Sequence, residues 1–143
     1  MFELTGTGFV PGTPFAAFGA KLVIQFGKTP DQDFFEMGSS FTLGSASNGI
    51  NPAAEPVTLQ IGTFAVTIPS GSFTGKGFGP FYFAGVINRV PLHAVIAPTG
   101  AKRYAFDAAA QNANLKGTKN PVTVMLTIGD DSGTTSVKAD IDH

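Results

Sequence analysis

Few side chains in this sequence have the type and spacing that chemistry needs. A nucleophilic triad requires a histidine, and of the two present, His143 is the last residue while His93 stands mid-strand among Leu92, Ala94 and Val95. No Gly-x-Ser-x-Gly elbow supplies a serine, so His93 reads as a half-exposed strand histidine. Gly27-Lys28-Thr29 imitates the end of a phosphate-binding loop and follows a strand pattern. Such a loop places another glycine five positions earlier, where Leu22 stands, and Pro30-Asp31 follows where a helix should open. Gly75, Gly77 and Gly79 alternate as dinucleotide-binding glycines do, but no helical pattern follows them, which leaves a turn or bulge. Glycoside hydrolysis needs two facing carboxylates, and Glu3, Glu36 and Glu55 fall one to an element with no shared motif. The acidic turns Asp31-Gln32-Asp33 and Asp130-Asp131-Ser132 offer the clustered oxygens that calcium takes, without matching a calcium-loop pattern. Aspartate bonding its own turn backbone explains them more simply. No catalytic, cofactor-binding or metal-binding residue is assigned, and the chain is read as a non-enzyme.

Composition narrows the classes further. Net charge is −1 and charged residues make up 13% of the chain, so no basic field exists to hold nucleic acid or a membrane surface. The absence of cysteine removes disulfides and thiolate metal sites alike. Met1-Phe2-Glu3-Leu4 lacks the basic and apolar regions of a signal peptide. The longest apolar run, Phe81 to Ala97, is broken by Asn88, Arg89, Pro91 and His93, which argues against a membrane span.

Fourteen Phe with eighteen Gly and ten Pro describe β-structure with many corners. Leu22, Ile24 and Phe26 share one strand face, and a turn at Gly27 to Asp31 leads to a strand from Phe34 to Leu43, with Gly38 expected as a bulge. Strands are expected on both sides of Gly62, as a hairpin or one bent strand, then at Phe81 to Ile87, running to a turn at Asn88-Arg89, and around Leu92, Ala94 and Ile96, followed by a turn at Pro98-Thr99-Gly100. Asp107 to Ala113 is read as a strand despite its alanines, Pro121 to Ile128 as another. A hairpin turn at Asp130-Asp131-Ser132-Gly133 precedes a last strand from Thr134 to Ile141. The phenylalanines, alternating with small residues, are assigned to the core and not to a stacking platform for sugars.

The pattern recurs. Phe73-Thr74-Gly75-Lys76-Gly77-Phe78-Gly79-Pro80 matches Leu4-Thr5-Gly6-Thr7-Gly8-Phe9-Val10-Pro11 at five of eight positions, 69 residues apart, and three later landmarks repeat in the same order. The expected fold is therefore one all-β domain over residues 1–143, a sandwich or pseudo-twofold barrel of about ten to twelve short strands, built from similar units 1–69 and 70–143. Phe73 to Pro80 would open the second unit, with Phe78 entering the core.

Two stretches carry a resemblance: SNGINPAAEPVTLQIGTFAVTIPSGSF from Ser47 to Phe73, and NPVTVMLTIGDDSGTTSV from Asn120 to Val137. They resemble segments of a family of uncharacterised, exported, repeat-containing β proteins of environmental Gram-negative bacteria. The resemblance spans roughly residues 20 to 140 in turn and strand patterns, and it implies an extracellular or cell-surface setting and no activity. The function expected is a structural or assembly module of a bacterial surface or fibre, whose partners are copies of itself or neighbouring domains. Phe2 and Leu4 at one end, with Val137, Ala139 and Ile141 at the other, are the expected subunit-contact positions, their strands pairing within the sheet or with a neighbouring subunit by strand addition. The rival reading is a carbohydrate-binding or other ligand-binding module, which requires an exposed aromatic strip or a concave sheet face.

Overall fold

In the computed structural model, residues 13–75, 77 and 79–143 are described. Alternating burial runs through most strands, as side chains of a pleated strand point to opposite faces in turn. The strands are β1 (Thr13–Pro14), β2 (Ala17–Gln25), β3 (Asp33–Thr42), β4 (Val57–Ile61), β5 (Phe64–Ile68), β6 (Phe81–Ile87), β7 (Val90–Gly100), β8 (Arg103–Ala113), β9 (Val122–Ile128), β10 (Asp131–Val137) and β11 (Asp140–Asp142). One 3-10 turn, Pro30–Gln32, is the only helical piece among the described residues.

Turn chemistry fixes the register. Ile61 pairs with Phe64, Ile87 with Val90 and Ile128 with Asp131, so each hairpin closes through two residues. Such turns need left-handed backbone, found at Gly62 (φ 56°), at Asn88 and Arg89 (φ 51° and 70°) and at Gly129 (φ 59°). Gly62 has a second constraint, because a Cβ there would collide with the side chain of Thr118. The hydroxyl oxygen of Thr118 accepts a hydrogen bond from the Thr63 N–H at 3.1 Å, tying this turn to the loop before β9.

The strands form a β-sandwich. One sheet has the order β1-β10-β9-β4-β5, the other β11-β2-β3-β8-β7-β6, and among the described residues the strand pairings are antiparallel except β1 with β10 and β11 with β2. The β2–β3 and β7–β8 hairpins meet along β3–β8 in the larger sheet, and β4–β5 and β9–β10 meet along β4–β9 in the smaller. A single apolar cluster fills the space between the sheets, with Ile24, Phe35, Ile96 and Phe106 from one side and Ile61, Leu126 and Ile128 from the other. Each such side chain, taken fully out of water, stabilises by roughly 1.5–3 kcal/mol. At one end of the sandwich Phe41 is stacked between Phe15 (centroids 4.5 Å apart, planes at 15°) and Tyr104 (5.4 Å, 16°), while Phe18 meets Phe15 edge-on at 5.7 Å.

Several expectations change. Gly38 pairs with Lys21 on one side and Asp107 on the other without interruption; the bulge in β3 lies between Asp33 and Phe35. β7 runs on to Gly100, with its irregularity at Pro98/Gly100, so the turn falls at Ala101-Lys102, where Lys102 has φ 59°. The hairpin after β9 turns at Gly129-Asp130, and Asp131 is already the first residue of β10. The final stretch is two strands in different sheets. It breaks at Lys138-Ala139 because Asn120 clasps the backbone there: its side-chain amide donates to the Ala139 carbonyl (2.9 Å) and its Oδ1 accepts from the Ala139 N–H (2.7 Å). Bonded to a side chain, Ala139 cannot continue the ladder with β9, and the chain crosses to β2. The expectations for Phe2, Leu4 and Phe78 fall outside the described residues.

Candidate functional site

The groups with chemical potential serve structure in most cases. Asp33 is buried, and its two carboxylate oxygens accept hydrogen bonds from the Gly27 N–H (Oδ1, 2.9 Å) and the Leu115 N–H (Oδ2, 2.9 Å). The amide that a phosphate loop would offer from Gly27 is thus already used, and a 3-10 turn follows Thr29 where a helix would be needed. Glu55 accepts from the Asn51 N–H at 2.6 Å, and its carboxylate fills the space a Cβ on Gly129 would take. Among the described residues no group of three or more His, Asp or Glu side chains could hold a metal ion, and no helix is long and apolar enough to cross a membrane.

Asp131 is the exception among the buried carboxylates. It is 1% exposed and neither oxygen has a hydrogen-bond partner among the described residues. Burial raises its pKa above the ordinary 3.8, and the neighbouring Asp130 charge raises it further. Ser47 lies close enough to offset part of the rise, without hydrogen-bonding geometry to the carboxylate. A carboxyl with a raised native pKa is fully ionised above that value, where its burial costs stability, and the cost fades as pH falls through the raised value toward 3.8. Asp131→Asn is therefore expected to raise the thermal midpoint near neutral pH by about 3 °C and to change it little below the ordinary carboxyl range, as scanning calorimetry at the two pH values would show.

Two surfaces remain. The first is a sheet edge. β1 and β11 end their sheets with two and three residues, and β11 carries Asp140 and Asp142. At the far ends of the strand orders, β5 (FAVTI) and β6 (FYFAGVI) carry no charge and no proline. The Tyr82 N–H and C=O both bond Thr74 at 2.8 Å, so alternation along β6 turns the backbone groups of Ala84 and Val86 outward as well. On the solvent face of the same strand Tyr82 is 54% and Val86 66% exposed.

The second surface is the outer face of the six-stranded sheet, where a shallow depression of about 430 Å³ is floored by Gly38 and Ala109. Lys21, Glu36, His93 and Asp107 stand around it with Val23 and Val95. The register sets these positions: Lys21, Gly38, Asp107 and Val95 are successive cross-strand partners, as are Val23, Glu36, Ala109 and His93. His93 lies on a strand, as expected, but is exposed and not half-exposed, and the four polar groups come from four strands and share no sequence motif.

Of the expected contact positions, Val137 closes β10 opposite Val122, and Ala139 is buried at the Asn120 clasp. Ile141 lies in β11, opposite Ile24 of β2 in the same chain. Comparison with protein-family models, curated proteins and solved structures finds no match to this chain.

Proposed function

We propose that this protein is a non-catalytic structural module of a bacterial cell surface or extracellular fibre, which associates with copies of itself edge to edge. The observation that carries the reading is the contrast between the two sides of the sandwich. One side is blunted by very short strands, β1 with a proline and β11 with two aspartates, as proteins do to block edge pairing, and the other ends in β5 and β6, longer strands without charge or proline. The terminal positions Val137, Ala139 and Ile141 are engaged within their own chain, so the contact is assigned to β6. A twofold pairing centred on Gly85 would set Ala84 against Val86 of the second copy, using the outward backbone groups, and Phe83 against Ile87, with no charge buried.

The surface setting rests on the resemblance of the Ser47–Phe73 and Asn120–Val137 stretches. Duplication of a unit of about 69 residues belongs to the same proposal; the matched hairpins, β2–β3 with β7–β8 and β4–β5 with β9–β10, support it. Sedimentation over a concentration series is expected to show reversible association, and Val86→Lys should weaken it at least about tenfold without lowering the thermal midpoint. A wild-type chain that stays monomeric at the highest concentration would overturn the reading.

A further inference from the structure

We propose that the outer face of the six-stranded sheet binds a neutral saccharide chain, laid over Gly38. Gly38 is a glycine that the fold does not need. Gly38 sits in the middle of a central strand, paired on both sides, without positive φ, and a Cβ there would meet only Asp107 Oδ1 at an ordinary 3.5 Å. Neither turn, bulge nor packing calls for glycine, and a glycine in a strand interior weakens it. The physical use left for it is to let another group approach the backbone closely.

The rim says what kind of group. Lys21 and His93 can donate hydrogen bonds, while Glu36 and Asp107 can accept them, and with histidine neutral the four together carry one net negative charge. That balance offers no positive field to hold phosphate or sulfate. It is matched by a ligand whose hydroxyls both donate and accept. The floor of Gly38 and Ala109 is apolar and recessed between the side chains around it, suited to the C–H face of a pyranose ring whose hydroxyls reach the rim. A second depression of about 400 Å³ shares His93 and Ala109 with the first and continues past Phe34, Pro91 and Gln111. Two adjoining sites imply several linked sugars and not a monosaccharide. The second depression also reaches Ala84, Gly85 and Val86 of β6, whereas the first, over Gly38, includes no residue of that strand.

The test is an amide-shift titration of the isotopically labelled chain with cellohexaose, laminarihexaose, xylohexaose and mannohexaose, and with a sulfated heparin hexasaccharide. At least one neutral hexasaccharide is expected to move the amides of Lys21, Gly38, Asp107 and Ala109. Gly38→Val, which fills the floor, should weaken that binding at least about tenfold while the thermal midpoint holds or rises. Asp107→Ala, on the exposed face, serves as a second variant should Gly38→Val fold poorly, and should also weaken binding. No shifts with any neutral hexasaccharide, binding of the sulfated one alone, shifts mapping elsewhere, or unchanged binding by the variants would each overturn the proposal.

Discussion

Phe41→Ala is expected to cost about 4 kcal/mol, read as a lowered denaturant midpoint with an unchanged slope. The ring is 2% exposed and lies between Phe15 and Tyr104, so its loss opens a cavity and removes both stacking partners at once. Neither neighbour can close the gap cheaply. Tyr104 is the cross-strand partner of Phe41 on β8, held by the ladder, and Phe15 packs so closely over Gly133 that a Cβ there would collide with its ring. Phe41→Leu, which keeps most of the volume, should cost less than half as much. Equal losses for the two variants would mean that the ring stack carries the stability and that the retained apolar volume contributes little.

Asp33→Ala is expected to cost about 3 kcal/mol, because it leaves the N–H groups of Gly27 and Leu115 without their acceptors. The two loops that Asp33 joins, before β3 and after β8, lose their common anchor. Hydrogen exchange at those two amides should accelerate well beyond what the drop in global stability explains. Asp33→Asn keeps one acceptor oxygen but turns an NH2 group toward the other N–H, and it should fall between wild type and Asp33→Ala. Unchanged exchange at Gly27 and Leu115 in Asp33→Ala would show that the carboxylate does not hold the loops.

The strands were legible because their signal is local. Leu22 and Ile24, Val57, Leu59 and Ile61, and Val122, Val124 and Leu126 alternate with outward residues, and all face the core. The turn at Asn88-Arg89 and the strand reading of Asp107–Ala113 were equally local. What escaped depends on partners far along the chain. Asp33 in an acidic turn looks like any turn aspartate until Leu115 is folded against it, 82 residues on. The break at Ala139 is dictated by an asparagine before β9. Strand-like alternation at Val137, Ala139 and Ile141 cannot reveal that the residues serve two different sheets. The depression at Gly38 was invisible for the same reason: Lys21, Glu36, His93 and Asp107 are brought together only by the registers of β2, β3, β7 and β8.

The two parallel pairings, β1 with β10 and β11 with β2, bear on how the chain reaches its native state. Hairpins closed by two-residue turns form locally, within roughly 1–10 μs. β1 has to find β10 from the other end of the chain, and β11 has to find β2, so their loop-closure entropy is repaid only once the central strands stand in place. Until those two short strands dock, β2 and β10 are themselves open edges. A refolding chain therefore exposes pairing sites on both sides of the sandwich, and the speed with which its ends strap down sets how much concentrated protein folds and how much aggregates.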